Sequence, residues 1–114
     1  MKYNLSGIYR THWEWHRKLY ESIAIIFHYS SNAIIGLEIC ADTNKECGGI
    51  YFLNGVINNK SKTIKGEWWK IGNSQCGGFY IKINHTYNQW QGKYNNHLKS
   101  TTKYPYTFSY LREL

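Results

Sequence analysis

The chain of 114 residues carries 14 Lys and Arg against seven Asp and Glu, which gives a net charge of +7, and 18% of its residues are aromatic. This length predicts a single domain over residues 1–114, and no apolar run approaches the ~20 residues of a membrane helix. No signal peptide precedes the first predicted strand, and three cysteines without a Cys-x-x-Cys pair favour free thiols in a reducing compartment. The basic charge favours anionic partners, with ordinary solubility charge as the alternative.

Period-two patterns predict eight strands, near residues 5–15, 19–29, 33–40, 49–57, 63–70, 78–84, 88–95 and 106–112. An apolar residue, a glycine and an aromatic residue recur at alternate positions, most plainly at Ile64-Lys65-Gly66-Glu67-Trp68. Alternate residues of a strand face the same side, and small beside large side chains fill the interior of a narrow barrel. The chain is therefore predicted to be all-β, a small closed eight-stranded antiparallel up-and-down β-barrel. At most a short turn is expected near residues 12–21, and no helix.

Aromatic residues beside polar ones on the predicted inner face suggest a ligand site. In the first strand, Tyr9, Thr11 and Trp13 share the inner face, whereas Arg10 faces the other way. In the last strand, Tyr110 and Arg112 share the face of the interior ring Phe108. The candidate ligand-binding residues are Tyr9, Arg10, Thr11, Trp13, Trp68, Tyr94, Tyr110 and Arg112. Rings suit stacking on nucleobases and arginine suits phosphate, while core filling is the alternative role for any single ring.

The second strand is apolar on both of its faces. Ile23, Ile25 and Phe27 share one face, and Ala24 and Ile26 share the other. One face belongs to the barrel interior, so the other exposes an apolar strip that we expect to mark a self-association surface. If Ile26 faces outward, a lysine at that position disrupts the association.

Catalytic and metal-binding patterns are absent from the sequence. No two acidic residues pair on an interior face, and no nucleophile elbow, P-loop or GxGxxG occurs. His12 and His16 would lie about 13 Å apart along a strand, too far for one metal ion. We therefore expect a protein that is not an enzyme and that uses no cofactor and no metal.

One family has the same order of motifs over nearly the whole chain. Leu5-x-Gly-x-Tyr9-x-Thr-x-Trp13, Ile64-x-Gly-x-Trp68 and Trp90-x-Gly-x-Tyr94, with a closing Phe108-x-Tyr-x-Arg112, resemble the minimal β-barrel, STING-like effectors of bacterial CBASS anti-phage signalling. This resemblance implies a receptor for a cyclic dinucleotide, made by a partner nucleotidyltransferase, and assembly on ligand binding. It implies no nucleic-acid polymer as a partner.

In that family, N-terminal transmembrane helices disrupt the inner membrane once the protein assembles. This chain lacks those helices, so we expect either the cytoplasmic receptor domain of an inner-membrane protein or a soluble relative with another output. Two alternatives stay open: a lipocalin- or avidin-like carrier of a small hydrophobic ligand, and an interaction module that uses the outer face of the second strand. An interior with Tyr, Trp, Thr and Arg fits a hydrophobic carrier less well.

Overall fold

A computed structural model describes residues 4–43, 47–96 and 102–114. Eight antiparallel strands follow one another around a closed barrel in chain order, and the last strand pairs with the first. They are β1 (Gly7–Trp15), β2 (Lys18–Ser30), β3 (Ala33–Cys40), β4 (Gly49–Asn58), β5 (Thr63–Lys70), β6 (Cys76–Ile83), β7 (Gln89–Tyr94) and β8 (Tyr104–Arg112). The predicted all-β, eight-stranded up-and-down barrel is confirmed. In the described ranges, no helix is long and apolar enough to cross a membrane.

Burial alternates along the strands as the sequence pattern predicts. In β1 the inward residues Gly7, Tyr9, Thr11 and Trp13 are all buried. The three cysteines are free thiols, and two of them are buried. Two of the segments between the predicted strands, residues 41–46 and 96–102, fall partly outside the described residues.

Glycines on the inner face leave room for rings of the neighbouring strands. Gly66 on β5 pairs with Gly55 on β4 and with Phe79 on β6. A Cβ at Gly66 would lie 2.0 Å from the carbonyl oxygen of Asn54 and 2.5 Å from the Phe79 ring. The strands and the ring can therefore approach this closely only where the side chain is absent.

A change of register in the β1–β8 pair turns Arg112 to the outside. Tyr9 pairs with Tyr110, but Ile8 pairs with Arg112, so one extra residue of β8 lies between the two pairs. A β-bulge of this kind moves the following side chain to the opposite face. The prediction that Arg112 shares the face of Tyr110 and Phe108 is therefore wrong, because simple alternation does not hold across the bulge.

The two apolar faces of β2 differ in burial. Ala24 and Ile26 are fully buried in the barrel, whereas Ile23 and Phe27 are exposed, at 37% and 47%. The reading in which Ile26 faces outward is wrong, because Ile26 pairs with Gly36 across β3 and its side chain fills the space above that glycine. The outer strip of β2 consists of Ile23, Ile25 and Phe27.

Substituting Gly66 tests whether the barrel depends on this close approach. We expect Gly66→Ala to lower the free energy of unfolding by about 1–3 kcal/mol or more, because the new methyl group meets backbone that cannot easily move. Urea unfolding measures the change. Gly78→Ala is the control, because a Cβ there has its nearest neighbour at 3.5 Å. Equal stability of the two variants would contradict the packing argument.

Candidate functional site

The barrel interior divides into a densely packed half and a half that contains a cavity. In the packed half, the rings of Tyr9 and Trp90 have centroids 4.5 Å apart, and those of Trp90 and Phe108 are 4.9 Å apart. Trp90 is fully buried, and the Tyr9 hydroxyl donates a hydrogen bond to the Leu5 carbonyl at 2.7 Å. Side chains therefore fill this half.

A cavity of about 130 Å³ lies in the other half, at the end where β1, β3, β5 and β7 finish. Its walls are six aromatic rings and four polar or sulfur-containing side chains. We call it the aromatic cavity, and its lining residues are Trp13, Trp15, Glu38, Cys47, Tyr51, Trp68, Gln75, Tyr94, Asn96 and Tyr106. An eight-stranded barrel is just wide enough to hold one small ligand in such a space.

Hydrogen bonds hold the rings of the aromatic cavity in place. The Trp13 indole N–H donates to Ser22 Oγ at 3.0 Å, and the Trp68 indole N–H donates to the Asn95 carbonyl at 2.8 Å. The Tyr94 hydroxyl donates to the Glu14 carbonyl at 2.5 Å. Each ring thus satisfies its polar atom within the protein and presents its apolar surface to the cavity.

The polar group of most consequence in the aromatic cavity is the carboxyl of Glu38. Its side chain is only 5% exposed, and the Tyr106 hydroxyl donates a 2.9 Å hydrogen bond to its Oε2 atom. Burial raises the pKa of Glu38 to about 7, although stabilising interactions from Thr11 and Tyr106 oppose that rise. Thr11 Oγ1 is near this carboxyl but forms no hydrogen bond of ordinary geometry. A group that donates hydrogen bonds would therefore complement this wall.

Cations lie beside the aromatic cavity. Among the described residues, Lys70 is the only buried cation, and its Nζ atom lies 5.7 Å from the centroid of the Tyr51 ring. Gly49, with φ of 138°, makes room for it, because a Cβ there would lie 2.9 Å from Lys70 Cε. Arg17 is exposed in the turn that joins β1 to β2, directly after Trp15 and His16. Both His16 and Arg17 have positive φ, at 49° and 64°, an uncommon conformation for residues other than glycine.

The structure brings three of the predicted site residues together. Trp13, Trp68 and Tyr94 line the aromatic cavity. Thr11 is buried beside Glu38, but it does not line the cavity. Tyr9 belongs to the packed half. Tyr110 lies in the same half, and its ring centroid is 5.5 Å from that of Tyr9.

The two predicted arginines lie away from the aromatic cavity. Arg10 is on the outer surface of β1, where its Nε atom is 2.7 Å from Glu21 Oε1. Arg112 is exposed and pairs with Ile8, at the end of the barrel opposite to the cavity. Neither position supports the ligand-binding role that the sequence suggested for Arg10 and Arg112.

Sequence reasoning missed Glu38 and Lys70, although both follow the alternation rule. Glu38 shares its parity with the buried residues Ile34 and Cys40, and Lys70 shares its parity with Trp68. A single acid or lysine among apolar residues on an inner face was the available signal.

No protein-family model matches the chain, and no curated protein or solved structure matches it either. Within residues 4–43, 47–96 and 102–114, no three His, Cys, Asp or Glu side chains are grouped so that they could hold a metal ion. Fold and site together define a small closed β-barrel with an aromatic pocket, a buried carboxyl group and adjacent cations at one end.

The raised pKa of Glu38 predicts how stability depends on pH. Folding raises this pKa from 4.5 to about 7. The folded state therefore binds more protons between these values, and the wild-type free energy of unfolding falls as the pH rises from about 4.5 toward 7. Glu38→Gln removes the charge and keeps an acceptor for Tyr106, so we expect it to gain about 3 kcal/mol over wild type by pH 8 and nothing at pH 4.5.

Urea unfolding at several pH values measures this difference, and the exposed Glu67→Gln is the matched control. A constant difference between Glu38→Gln and wild type across this range would show that Glu38 does not titrate there.

Proposed function

We propose that the barrel is a receptor for a cyclic dinucleotide, one base of which stacks in the aromatic cavity. The observation that carries this proposal is the ring-lined space of about 130 Å³ at the end of the barrel where β1, β3, β5 and β7 finish. Stacking on aromatic side chains typically contributes ~1–3 kcal/mol per base, and every base has a face that can stack. Rings held by their own hydrogen bonds lose little freedom when a base binds between them.

The size of the cavity limits which part of the ligand enters. A cavity of ~150 Å³ holds a benzene molecule, and whole drug-sized ligands occupy pockets of ~300–1,000 Å³. A space of about 130 Å³ that is open at the end of the barrel thus admits the edge of one base rather than a complete cyclic dinucleotide. In our proposal, the second base and the phosphates stay at the rim.

Two cations near the aromatic cavity support an anionic ligand. Lys70 lies over the Tyr51 ring, and Arg17 is exposed in the turn that follows the cavity residue Trp15. Lysine and arginine are the usual partners of phosphate oxygens, and a net charge of +7 attracts a dianion over longer distances. In this proposal, the exposed Arg17 takes the role of phosphate partner that the sequence suggested for Arg10 and Arg112, and the buried Lys70 adds positive charge beside the Tyr51 ring.

A small organic cation is the second candidate ligand, favoured by the carboxyl of Glu38 among the rings. Quaternary ammonium groups bind to the faces of aromatic rings, and a carboxylate adds to that attraction. The nearby cations Lys70 and Arg17 oppose it, so the dinucleotide remains the first candidate. A carrier of hydrophobic ligands is less well supported, because an apolar ligand would leave the buried Glu38 carboxyl facing a group without donors.

The outer wall of the barrel supports the proposed self-association. Ile23, Ile39 and Ile50 lie side by side across β2, β3 and β4, and they are 37%, 43% and 44% exposed. A second row is formed by Ile25, Leu37, Phe52 and Trp69, in which the last two rings stack with centroids 4.7 Å apart. Contiguous exposed apolar surface of this kind typically marks an interface.

In this proposal, the chain is the receptor part of a CBASS effector, and ligand binding promotes assembly through these two rows. Any disruption of a membrane would require transmembrane helices such as those of the CBASS family.

Removing one wall of the aromatic cavity tests the binding site. We expect Trp68→Ala to weaken binding of a cyclic dinucleotide by roughly five- to 150-fold, because it removes one stacking surface. Isothermal titration measures the affinity, with circular dichroism to confirm the fold. Tyr80→Ala removes a 53% exposed ring from the outer wall of β6 and serves as the control.

A panel of cyclic dinucleotides, tetramethylammonium and a fatty acid, compared by thermal melting, distinguishes the candidates. A ligand at a hundredfold excess over its dissociation constant stabilises the fold by roughly 2.7 kcal/mol. Stabilisation by tetramethylammonium or fatty acid alone would contradict the dinucleotide proposal.

A charge in the apolar rows tests self-association. We expect Ile39→Lys to fold normally, because Ile39 is 43% exposed, and to reduce the association because a lysine is costly to bury between two protomers. Light scattering with and without cyclic dinucleotide measures the assembly. Tyr80→Lys places the same charge on the opposite wall and should associate like wild type. If Ile39→Lys also assembles like wild type, the rows are not the interface.

A further inference from the structure

The carboxyl of Glu38 has acceptor capacity that its protein partners do not exhaust. An ionised carboxylate offers about four acceptor positions, and the Tyr106 hydroxyl occupies one of them at Oε2. The side chain lines the aromatic cavity while it is 5% exposed to solvent. A ligand ring that enters the cavity therefore meets a carboxyl group at its edge as well as aromatic surface at its faces.

We propose that the aromatic cavity selects guanine, whose adjacent N1–H and N2–H groups donate a pair of hydrogen bonds to the Glu38 carboxylate. This inference rests on the proposed function, since it assumes that the ligand is a cyclic dinucleotide. Enzymes and receptors that enclose a single base commonly read it through its Watson–Crick edge while rings hold its faces.

The other bases match this wall less well. The Watson–Crick edge of adenine presents its N1 lone pair, which faces a carboxylate oxygen unfavourably. Cytosine likewise has an acceptor beside its amino group, and uracil has one donor between two carbonyl acceptors. Guanine is the common base with two neighbouring donors on this edge, and a good bidentate pair discriminates between bases by roughly five- to 150-fold.

The protonation state of Glu38 makes this selection depend on pH. Burial raises its pKa to about 7, so the ionised and neutral forms are both populated at neutral pH. The titratable groups that interact with Glu38 come from three strands: Tyr51 on β4, Tyr94 on β7 and Tyr106 on β8. Tyr20, Cys40, Cys47 and Lys70 surround Tyr51 and complete this set of titratable groups. Burial raises the pKa of Tyr51, Tyr94 and Tyr106 further above 10, so these hydroxyls stay neutral.

Guanine binds the ionised form of Glu38, so its affinity should rise with pH. For a pKa of about 7, the ionised fraction grows roughly tenfold between pH 6 and pH 8. Adenine has the opposite requirement, because a protonated carboxyl can donate to its N1 atom and accept from its amino group. Affinity for adenine should therefore fall over the same interval.

Isothermal titration of the full chain with cyclic di-GMP and cyclic di-AMP at pH 6 and pH 8 tests the inference. We expect wild type at pH 8 to bind cyclic di-GMP roughly five- to 150-fold more tightly than cyclic di-AMP, and this preference to shrink at pH 6. Glu38→Gln should lose both the preference and its pH dependence. Glu67→Gln, which changes an exposed carboxyl on the outer face of β5, should keep both.

Equal wild-type affinity for the two ligands at both pH values would overturn the selection by Glu38 and leave the receptor proposal standing. A Glu38→Gln variant that keeps the preference would overturn it as well. If neither dinucleotide binds, the proposed function fails together with this inference. If Glu38→Gln does not fold, the pH trends of wild type provide the test. Opposite trends for the two ligands would support the inference, and parallel trends would overturn it.

Discussion

The structure depends on the closure of eight strands around a narrow interior, which leaves no sheet edge and little room for side chains. Closure forces large rings to lie against positions that carry no side chain at all. Gly66 illustrates this constraint, because Phe79 and the backbone of Asn54 occupy the space that a Cβ would need. Because every strand must supply interior groups of the right size, the alternation of small and large residues is the physical basis of the fold.

Filling this interior unevenly is what creates a site. Tyr9, Trp90 and Phe108 pack one half with rings in direct contact, whereas the rings of the other half surround a cavity. The buried carboxyl of Glu38 has a cost for stability, since burial disfavours its charged form. Hydrogen bonding by Tyr106 offsets that cost only partly, and a donor on a ligand would offset more of it. A buried polar group that lowers the stability of the fold and faces a cavity is therefore a candidate for a hydrogen bond with a ligand.

The outer surface is divided as clearly as the interior. Apolar rows cross β2 to β5, whereas Lys65, Tyr80 and Lys93 lie side by side across β5, β6 and β7. The lysines keep that second wall solvated and discourage association there, because like charges would face each other. In our proposals, the ligand enters at one end of the barrel, and contacts between protomers form on the apolar wall.

The sequence by itself determined the all-β barrel, the limits of its strands to within about two residues and the inward position of Trp13, Trp68 and Tyr94, because side chains alternate strictly along a strand. It could not determine which face of β2 turns inward, since both faces are apolar and only the fit of Ile26 over Gly36 decides. Tertiary structure also turned Arg112 outward through the β-bulge and decided which end of the barrel holds the cavity. Those features arise from contacts between strands that are distant in the chain, and alternation within one strand carries no information about such contacts.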